Sequence, residues 1–483
     1  MRVLSPATAG VAMGLLLPLA VLAFELPEAT TTEPAMLPTL PDRPLRPIGD
    51  AAWGRAADLR PPVPAAARSL MPDRARAFAG EPAGPWGHAG DGPEADEPVP
   101  AALNHAGWSA PVGGMEPACA IRCPAPPLGG IEIGGWIDQG VTFNPDSPRN
   151  RSNAPIGYND RSNEYQLNQL WITMEKAVDS SAGGWDLGGR VDLAFGTDSR
   201  FLTADGLEDR WNSGQRFYQL ALPQLYMELG VGRLSVKMGH LWSPFGYERG
   251  PAPDNFFYSH AVSFTQIQPR TFTGLLGTYR LTDQWSVDAG LHRGWDNWED
   301  ENNHLGVVAG VSWTSCDRRT SASFAVSSAE EGDEIITPDT PLSTNVFELI
   351  VTHQVTGNLL YVIEHTNTRG TTTKEYAGLA GTSADSHAYG INQYLIYQID
   401  PCWSAGMRME WLFESSSLRD LALGRTAGSS TDLYAFTWGL NWTPTDRLVV
   451  RPELRWDWSD GRRYDDSSDH DQLLFACDAL WSF

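Results

Sequence analysis

The chain has 483 residues, a formal net charge of −24, 42% hydrophobic residues, 19 tryptophans and 5 cysteines. So acidic a balance excludes a nucleic-acid binder, which needs a basic face against phosphate. No run of about 20 apolar residues follows residue 24, which excludes a bundle of membrane helices and leaves a soluble protein or a membrane β-barrel, whose spans are apolar on one side only.

Residues 1–23 read as a secretory signal peptide. Arg2 supplies a thin positive region, Val11 to Ala23 an apolar stretch, and Val21-x-Ala23 a small-residue cleavage site before Phe24. Pro18 and the short apolar core argue against a membrane anchor. Residues 24–128 then hold 20 of the 35 prolines, many alanines and no periodic apolar pattern. Such a stretch cannot offset the entropy of ordering itself, so it is expected to be a disordered or extended periplasmic segment. Trp53, Trp86 and Trp108 are isolated there, and isolated aromatics in a linker are more often incidental than docking points. Cys119 and Cys123 are spaced to close a small loop in an oxidising compartment; no second Cys pair or adjacent His makes them a metal or haem site.

From about residue 129 to 483 the texture changes to short segments with period-two alternation. WDLGGRVDLAF sets Trp185, Leu187, Val191, Leu193 and Phe195 against Asp186, Arg190, Asp192 and Ala194. LVVRPELRWDW sets Leu448, Val450, Leu454, Trp456 and Trp458 against Arg451, Glu453, Arg455 and Asp457. Connections alternate between short turns, such as GVG at 230–232 and TPTD at 443–446, and long polar stretches, such as 144–164, 242–270, 329–344 and 368–386. A soluble sandwich has no reason for that alternation, whereas a transmembrane antiparallel β-barrel has turns at one end and loops at the other. The expected fold is therefore all-β, a barrel of about 16 strands at approximately 131–143, 165–176, 185–196, 217–229, 232–241, 271–281, 284–293, 304–314, 319–328, 345–355, 358–367, 387–399, 403–414, 432–443, 446–457 and 470–483. Pro223 and Pro452 fall inside strands, where proline removes a ladder donor, so a bulge or broken pairing is expected there. The last strand, LLFACDALWSF, puts Leu473, Phe475, Cys477, Ala479, Trp481 and Phe483 on one face. It would pair with the first strand, and its Trp481 and Phe483 would serve as an assembly signal.

LNQLWITMEKAVD (167–179), GGRVDLAFGTDSRF (188–201), GHLWSPFGYE (239–248), NFFYSHAVSFT (255–265) and LTDQWSVDAGLHRGWDNWED (281–300) resemble the putative beta-barrel porin-2 family of bacterial outer-membrane proteins, of planctomycete type. The resemblance covers roughly 130–483 and implies an outer-membrane, porin-like barrel with passive diffusion of small hydrophilic solutes. It implies no catalytic residue, cofactor or metal. The expected partners are outer-membrane lipids, the barrel-assembly machinery, and small hydrophilic solutes or ions, with a homotrimer as the candidate assembly and no nucleic acid. A plugged barrel that anchors the envelope is the competing reading. A barrel-borne hydrolase ranks far below both, since no G-x-S-x-G, H-E-x-x-H or Walker pattern occurs.

Alternation turns Arg190, Asp192, Arg233, Lys237, Arg408, Glu410, Arg451, Glu453 and Arg455 inward, either as a transverse field across a constriction or as a charge network that stiffens the wall. The third long stretch, WSPFGYERGPAPDNFFYSHAVSFTQIQP, is more aromatic than a solvated loop requires. General porins commonly fold this loop into the lumen, so Tyr247, Glu248, Arg249, Asp254, Phe256, Phe257 and His260 are expected near the barrel waist. Acidic clusters at 295–304 and 464–471 (Asp296, Glu299, Asp300, Glu301, Asp465, Asp466, Asp469, Asp471) match no calcium-loop spacing and read as solvated loop charge.

Overall fold

The computed structural model describes residues 130–483 apart from 180–183, 213–215, 300–303, 333–340, 373–384, 416–429, 462–463 and 465–468. The expectations for 1–23 and 24–128, with Cys119 and Cys123, lie outside the described residues, as do Asp300, Glu301, Asp465 and Asp466.

Sixteen strands run in chain order: β1 (Glu132–Phe143), β2 (Glu164–Lys176), β3 (Trp185–Gly196), β4 (Gln219–Val231), β5 (Leu234–Trp242), β6 (Thr271–Arg280), β7 (Trp285–Trp295), β8 (Gly306–Thr314), β9 (Thr320–Gly332), β10 (Pro341–Gln354), β11 (Leu359–Thr372), β12 (Asp385–Asp400), β13 (Trp403–Glu414), β14 (Thr431–Thr445), β15 (Leu448–Ser459) and β16 (Asp471–Ser482). Each pairs antiparallel with its chain neighbours, and β1 pairs with β16, so the sheet is a closed barrel without an edge. The seam runs from Trp136 opposite Ser482 to Phe143 opposite Phe475. Phe483 extends it: its N–H donates to the Gly135 carbonyl (2.9 Å) and its carbonyl accepts the Gly135 N–H (3.1 Å).

The period-two pattern sorts side chains as a barrel in lipid demands. Leu187, Leu193, Leu225, Met227, Leu275, Leu291, Val307, Leu349, Leu454, Leu473 and Phe475 are exposed on the outer face. Aromatic pairs crowd its two rims. Trp403 stacks on Trp442 and Trp285 meets Trp313 at the short-turn end; Tyr389 stacks on Phe413 and Tyr434 on Trp458 at the loop end.

Both prolines disturb a ladder. The β3–β4 register shifts between Asp192 and Ala194, opposite Pro223. Pro452 pairs with Cys477 on the β16 side, but the β14 side has no pairing between Gly439–Glu453 and Trp442–Val450. Strands β9 to β12 outrun the expected limits. Residues 329–332, 341–344, 368–372 and 385–386, expected as loop, continue the ladders. Their sequences, AEEG, PLST, TRGTT and DS, are mostly polar or small on both faces and so give a weak hydropathy signal.

Candidate functional site in the barrel lumen

Four of the connections at the loop end are L1 (144–163), L2 (197–218), L3 (243–270) and L4 (296–305). L3 carries Phe245, Phe256, Phe257, Phe264 and Ile267, which a solvated loop could not hide, and Pro244, Pro251, Pro253 and Pro269, which keep it out of ladders. Apart from the turns Ala252–Asp254 and Val262–Gln266 it has no helix or strand. Its backbone donors and acceptors must therefore find partners elsewhere if it is to be buried.

The inward face of the wall supplies them, carboxylates for N–H groups and guanidinium groups for carbonyls. Glu348 of β10 accepts the Gly246 N–H (2.6 Å), Glu364 of β11 the Tyr247 N–H (2.8 Å) and Glu410 of β13 the Val262 N–H (2.7 Å). Glu453 of β15 accepts from Tyr258 (3.1 Å) and Ser259 (3.2 Å). Arg408 of β13 donates to the Ser259 carbonyl (2.6 Å), and Arg455 of β15 to that of His260 (3.1 Å). Arg451, also of β15, donates to Ala252 and Asn255 (2.9 Å each). Amides complete the set. Gln169 of β2 bridges Gly250 O (2.9 Å) and Ala252 N (3.0 Å), Asn392 of β12 reaches Ser263 (2.7 Å), and Asn441 of β14 reaches Phe256 O (3.0 Å). The loop thus crosses the lumen to the wall opposite its own strands. Two glycines let it lie flat: a Cβ at Gly140 would sit 2.7 Å from the Tyr258 ring, and one at Gly406 2.3 Å from the Phe256 ring.

The wall charges also satisfy one another, as buried ions must. Arg408 bonds Glu410 (2.8 Å) and Glu248 of the loop (2.6 Å); Arg455 bonds Glu410 and Asp457 (2.8 Å each); Arg451 bonds Asp478 of β16. Arg408 is completely buried and also lies over the Phe257 ring. Around the barrel every strand contributes at least one buried inward side chain: Asp138, Gln169, Asp192, Tyr226, Leu241, Leu276, Asp288, Val308, Ala325, Ile350, Val362, Tyr394, Arg408, Thr437, Glu453 and Asp478.

The other expected positions are spread more widely. Arg190 is half-buried on β3 between Glu175 (3.1 Å) and Asp192 (2.9 Å). Lys237 of β5 lies 4.8 Å over the Tyr226 ring. Arg233 shares the inward parity of Lys237 but sits past the strand end, in the exposed turn, donating to the Leu281 carbonyl (2.9 Å). Arg249 ties L3 to itself through the carbonyls of Ser243 (3.1 Å) and Phe245 (3.2 Å), and Glu248 accepts the Ala261 N–H (2.7 Å). Asp254 stands exposed at the L3 tip. His260 stacks on Tyr158 of L1 (4.1 Å) and Phe264 (5.0 Å), and this burial pushes its pKa down to about 4. Glu348, Gln169, Asn392 and Asn441 were not singled out by sequence. Their inward parity was legible, but nothing in the pattern says which inward residues face a loop.

L1, L2 and L4 close over this layer from the loop end. Gln472 of β16 donates to the L1 carbonyl of Asn153 (3.1 Å), and Arg200 of L2 pairs with Asp160 of L1 (2.6 Å). The backbone N–H of Trp298 in L4 donates to the Asp205 carbonyl of L2 (2.7 Å), and Asp296 pairs with Arg270 (2.9 Å). Among the described residues no group of acidic, His or Cys side chains has the arrangement of a metal site.

The sequence model of the family described as "Putative beta-barrel porin-2, OmpL-like" matches residues 130–483, and this is the family that the segments quoted above resemble. No curated protein matches the sequence. Among solved structures, the outer-membrane channel DcaP of Acinetobacter baumannii is similar in fold at 12% identity and a TM-score of 0.50, over 74% of this chain and 98% of that one. The trimer form of OmpT, an outer-membrane protein of Vibrio cholerae, aligns at 12% identity and 0.48, covering 73% and 99%. An anion-selective porin from Comamonas acidovorans aligns at 9% and 0.48, covering 73% and 99%.

Proposed function

The chain belongs to the beta-barrel porin-2 family, porin-type barrels rather than enzymes, and on that premise we propose that it is an outer-membrane channel for small hydrophilic solutes whose constriction is L3. The apolar outer band and its two aromatic rims support the membrane placement, with the short turns and the segment before residue 129 on the periplasmic side. The observation that carries the reading is the bonding of L3 to the inward faces of β2 and β10–β15. A loop held by both signs of wall charge stays inside the barrel and sets the width of any passage. Arg408, Arg451 and Arg455, which would line a field across an open pore, are here sealed beneath the loop, so charge selection falls to groups outside that contact.

Single-channel recording on the full chain in planar bilayers tests this. Wild type should give small conductance steps, and deletion of 248–262 should raise them several-fold. Heat-modified gel mobility would establish that the deletion variant still forms a closed barrel. Unchanged conductance in a correctly closed variant sinks the assignment of L3 as the constriction.

The buried inward ring favours a second reading, a plugged barrel with an envelope role. It predicts no wild-type conductance or solute flux under any condition, with cell-surface defects on deletion of the gene.

A further inference from the structure

On the short-turn side of L3, between the loop and β10–β13, lies a cavity of about 230 Å³. Its floor is aromatic: Tyr247 and Phe256 from the loop are only half-buried, and Tyr394 of β12 packs against Tyr247 with ring centroids 4.7 Å apart. Tyr247 and Phe256 pack one side against the wall cluster of Phe257, Ile350, Leu360, Val362 and Tyr394, and leave the rest of their rings open to the cavity. The rim is formed by three amides, Gln354, Asn358 and Gln398. One N–H of Gln354 goes to the Thr356 carbonyl (2.9 Å) and one N–H of Asn358 to the Gln398 carbonyl (3.2 Å), while Gln398 donates to both Asp400 and Trp403. Each amide keeps its oxygen as an acceptor, and Gln354 and Asn358 each keep a second N–H, a mixed set that suits hydroxyls, which both donate and accept.

We propose that this cavity is a binding site for a neutral polyhydroxylated solute, a single sugar ring seated on the Tyr247–Phe256–Tyr394 floor with its hydroxyls hydrogen-bonded to the amide rim. An apolar C–H face matches an aromatic floor, and a set of hydroxyls matches a rim of amide N–H groups and oxygens. Anions are disfavoured by those oxygens and by Asp254 at the edge. A cationic amine finds only Asp254, which lies in the field of Arg249 at the edge, because the Glu248 carboxylate is taken up by Arg408 (2.6 Å) and the Ala261 N–H (2.7 Å). The site deepens the channel reading, and rests on it only for its role as a stop for solute on the short-turn side of the constriction.

Isothermal titration calorimetry on the full chain, folded in an amine-oxide detergent that carries no sugar headgroup, tests it with glucose and maltose against choline and succinate. Saturable binding of glucose or maltose is expected, weakened about tenfold or more in Tyr247→Leu and in Asn358→Ala. Asn358 lies in an exposed turn, so that variant keeps its fold even if the loop variant does not. Absence of sugar binding, binding of choline or succinate instead, or sugar affinity unchanged in the folded variants each overturns the proposal. No current is read in this experiment, so its failure leaves the channel reading standing, and a failed conductance test leaves this one standing.

Discussion

From β10 round to β2 the inward wall carries Glu348, Glu364, Arg408, Glu410, Arg451, Glu453, Arg455, Asp457, Asp478 and Asp138, bonded to L3 or to each other. From β5 to β9 it carries the inward charges Lys237 and Asp288 among Gly274, Gly290, Gly306, Gly310, Ser323, Ala325 and Ser327, with Leu276 and Val308 in an apolar cluster around Phe245 and Phe272. The contrast follows from what each sector faces. A loop without ladders brings unpaired N–H and C=O groups, and fixed charges of both signs can satisfy them in a dry place. The other sector meets side chains rather than backbone, and small residues with a few apolar ones suffice. The charge cluster of β10 to β15 marks where L3 rests, whereas the smaller Glu175, Arg190 and Asp192 group on β2 and β3 is bonded within the wall itself.

That contrast breaks most visibly at Arg408. Arg408→Met leaves the buried Glu248 without a cation and Glu410 with Arg455 alone, and should cost about 3–5 kcal/mol in urea unfolding followed by tryptophan fluorescence. A loss below about 1 kcal/mol would mean that the charged sector is not holding the loop. Glu453→Ala leaves the Tyr258 and Ser259 N–H groups unpaired and should cost about 1–3 kcal/mol, together with faster protease cutting within L3.

Acid should loosen the L1–L3 contact through His260. Its pKa is lowered on folding to about 4, so the unfolded chain binds the extra proton between the ordinary value of about 6.5 and 4. Its contribution is therefore complete above about pH 6.5 and lost on acidification, about 2 kcal/mol by pH 5. His260→Phe should flatten that part of the stability–pH curve; an unchanged slope would remove His260 from the contact. The smallest effect belongs to the other sector. Ser312→Ala, on the inward face of β8, should stay within about 0.5 kcal/mol of wild type, and a loss as large as that of Arg408→Met would erase the distinction between the sectors.

The barrel was legible because lipid on one side and polar lumen on the other impose a strict two-residue period, as in Trp185 to Phe195 of β3. Strand ends were less so: the mostly polar or small ends of β9 to β12 carry no hydropathy contrast between faces. Within the lumen, parity gives the side of the wall but neither height nor cover. Arg233 and Lys237 share one parity, yet one is in a turn at the rim and the other over a tyrosine ring. The aromatic excess of L3 was the legible sign that the loop is buried. Its partners were not legible, because a carboxylate such as Glu348 in VFELIV looks the same whether it meets water or a peptide N–H.

The pairing of L3 with the wall also sets an order of events. Tyr258 bonds Glu453, 195 residues downstream, and the Ala252 carbonyl bonds Arg451, 199 residues downstream. Contacts of such long sequence separation form late, because the intervening chain must first be brought into place. Until β13 to β15 are in position, the segment 243–270 has nowhere to put its backbone polar groups. Its docking is therefore a terminal step, and a protease site within it would serve as a clock for barrel closure.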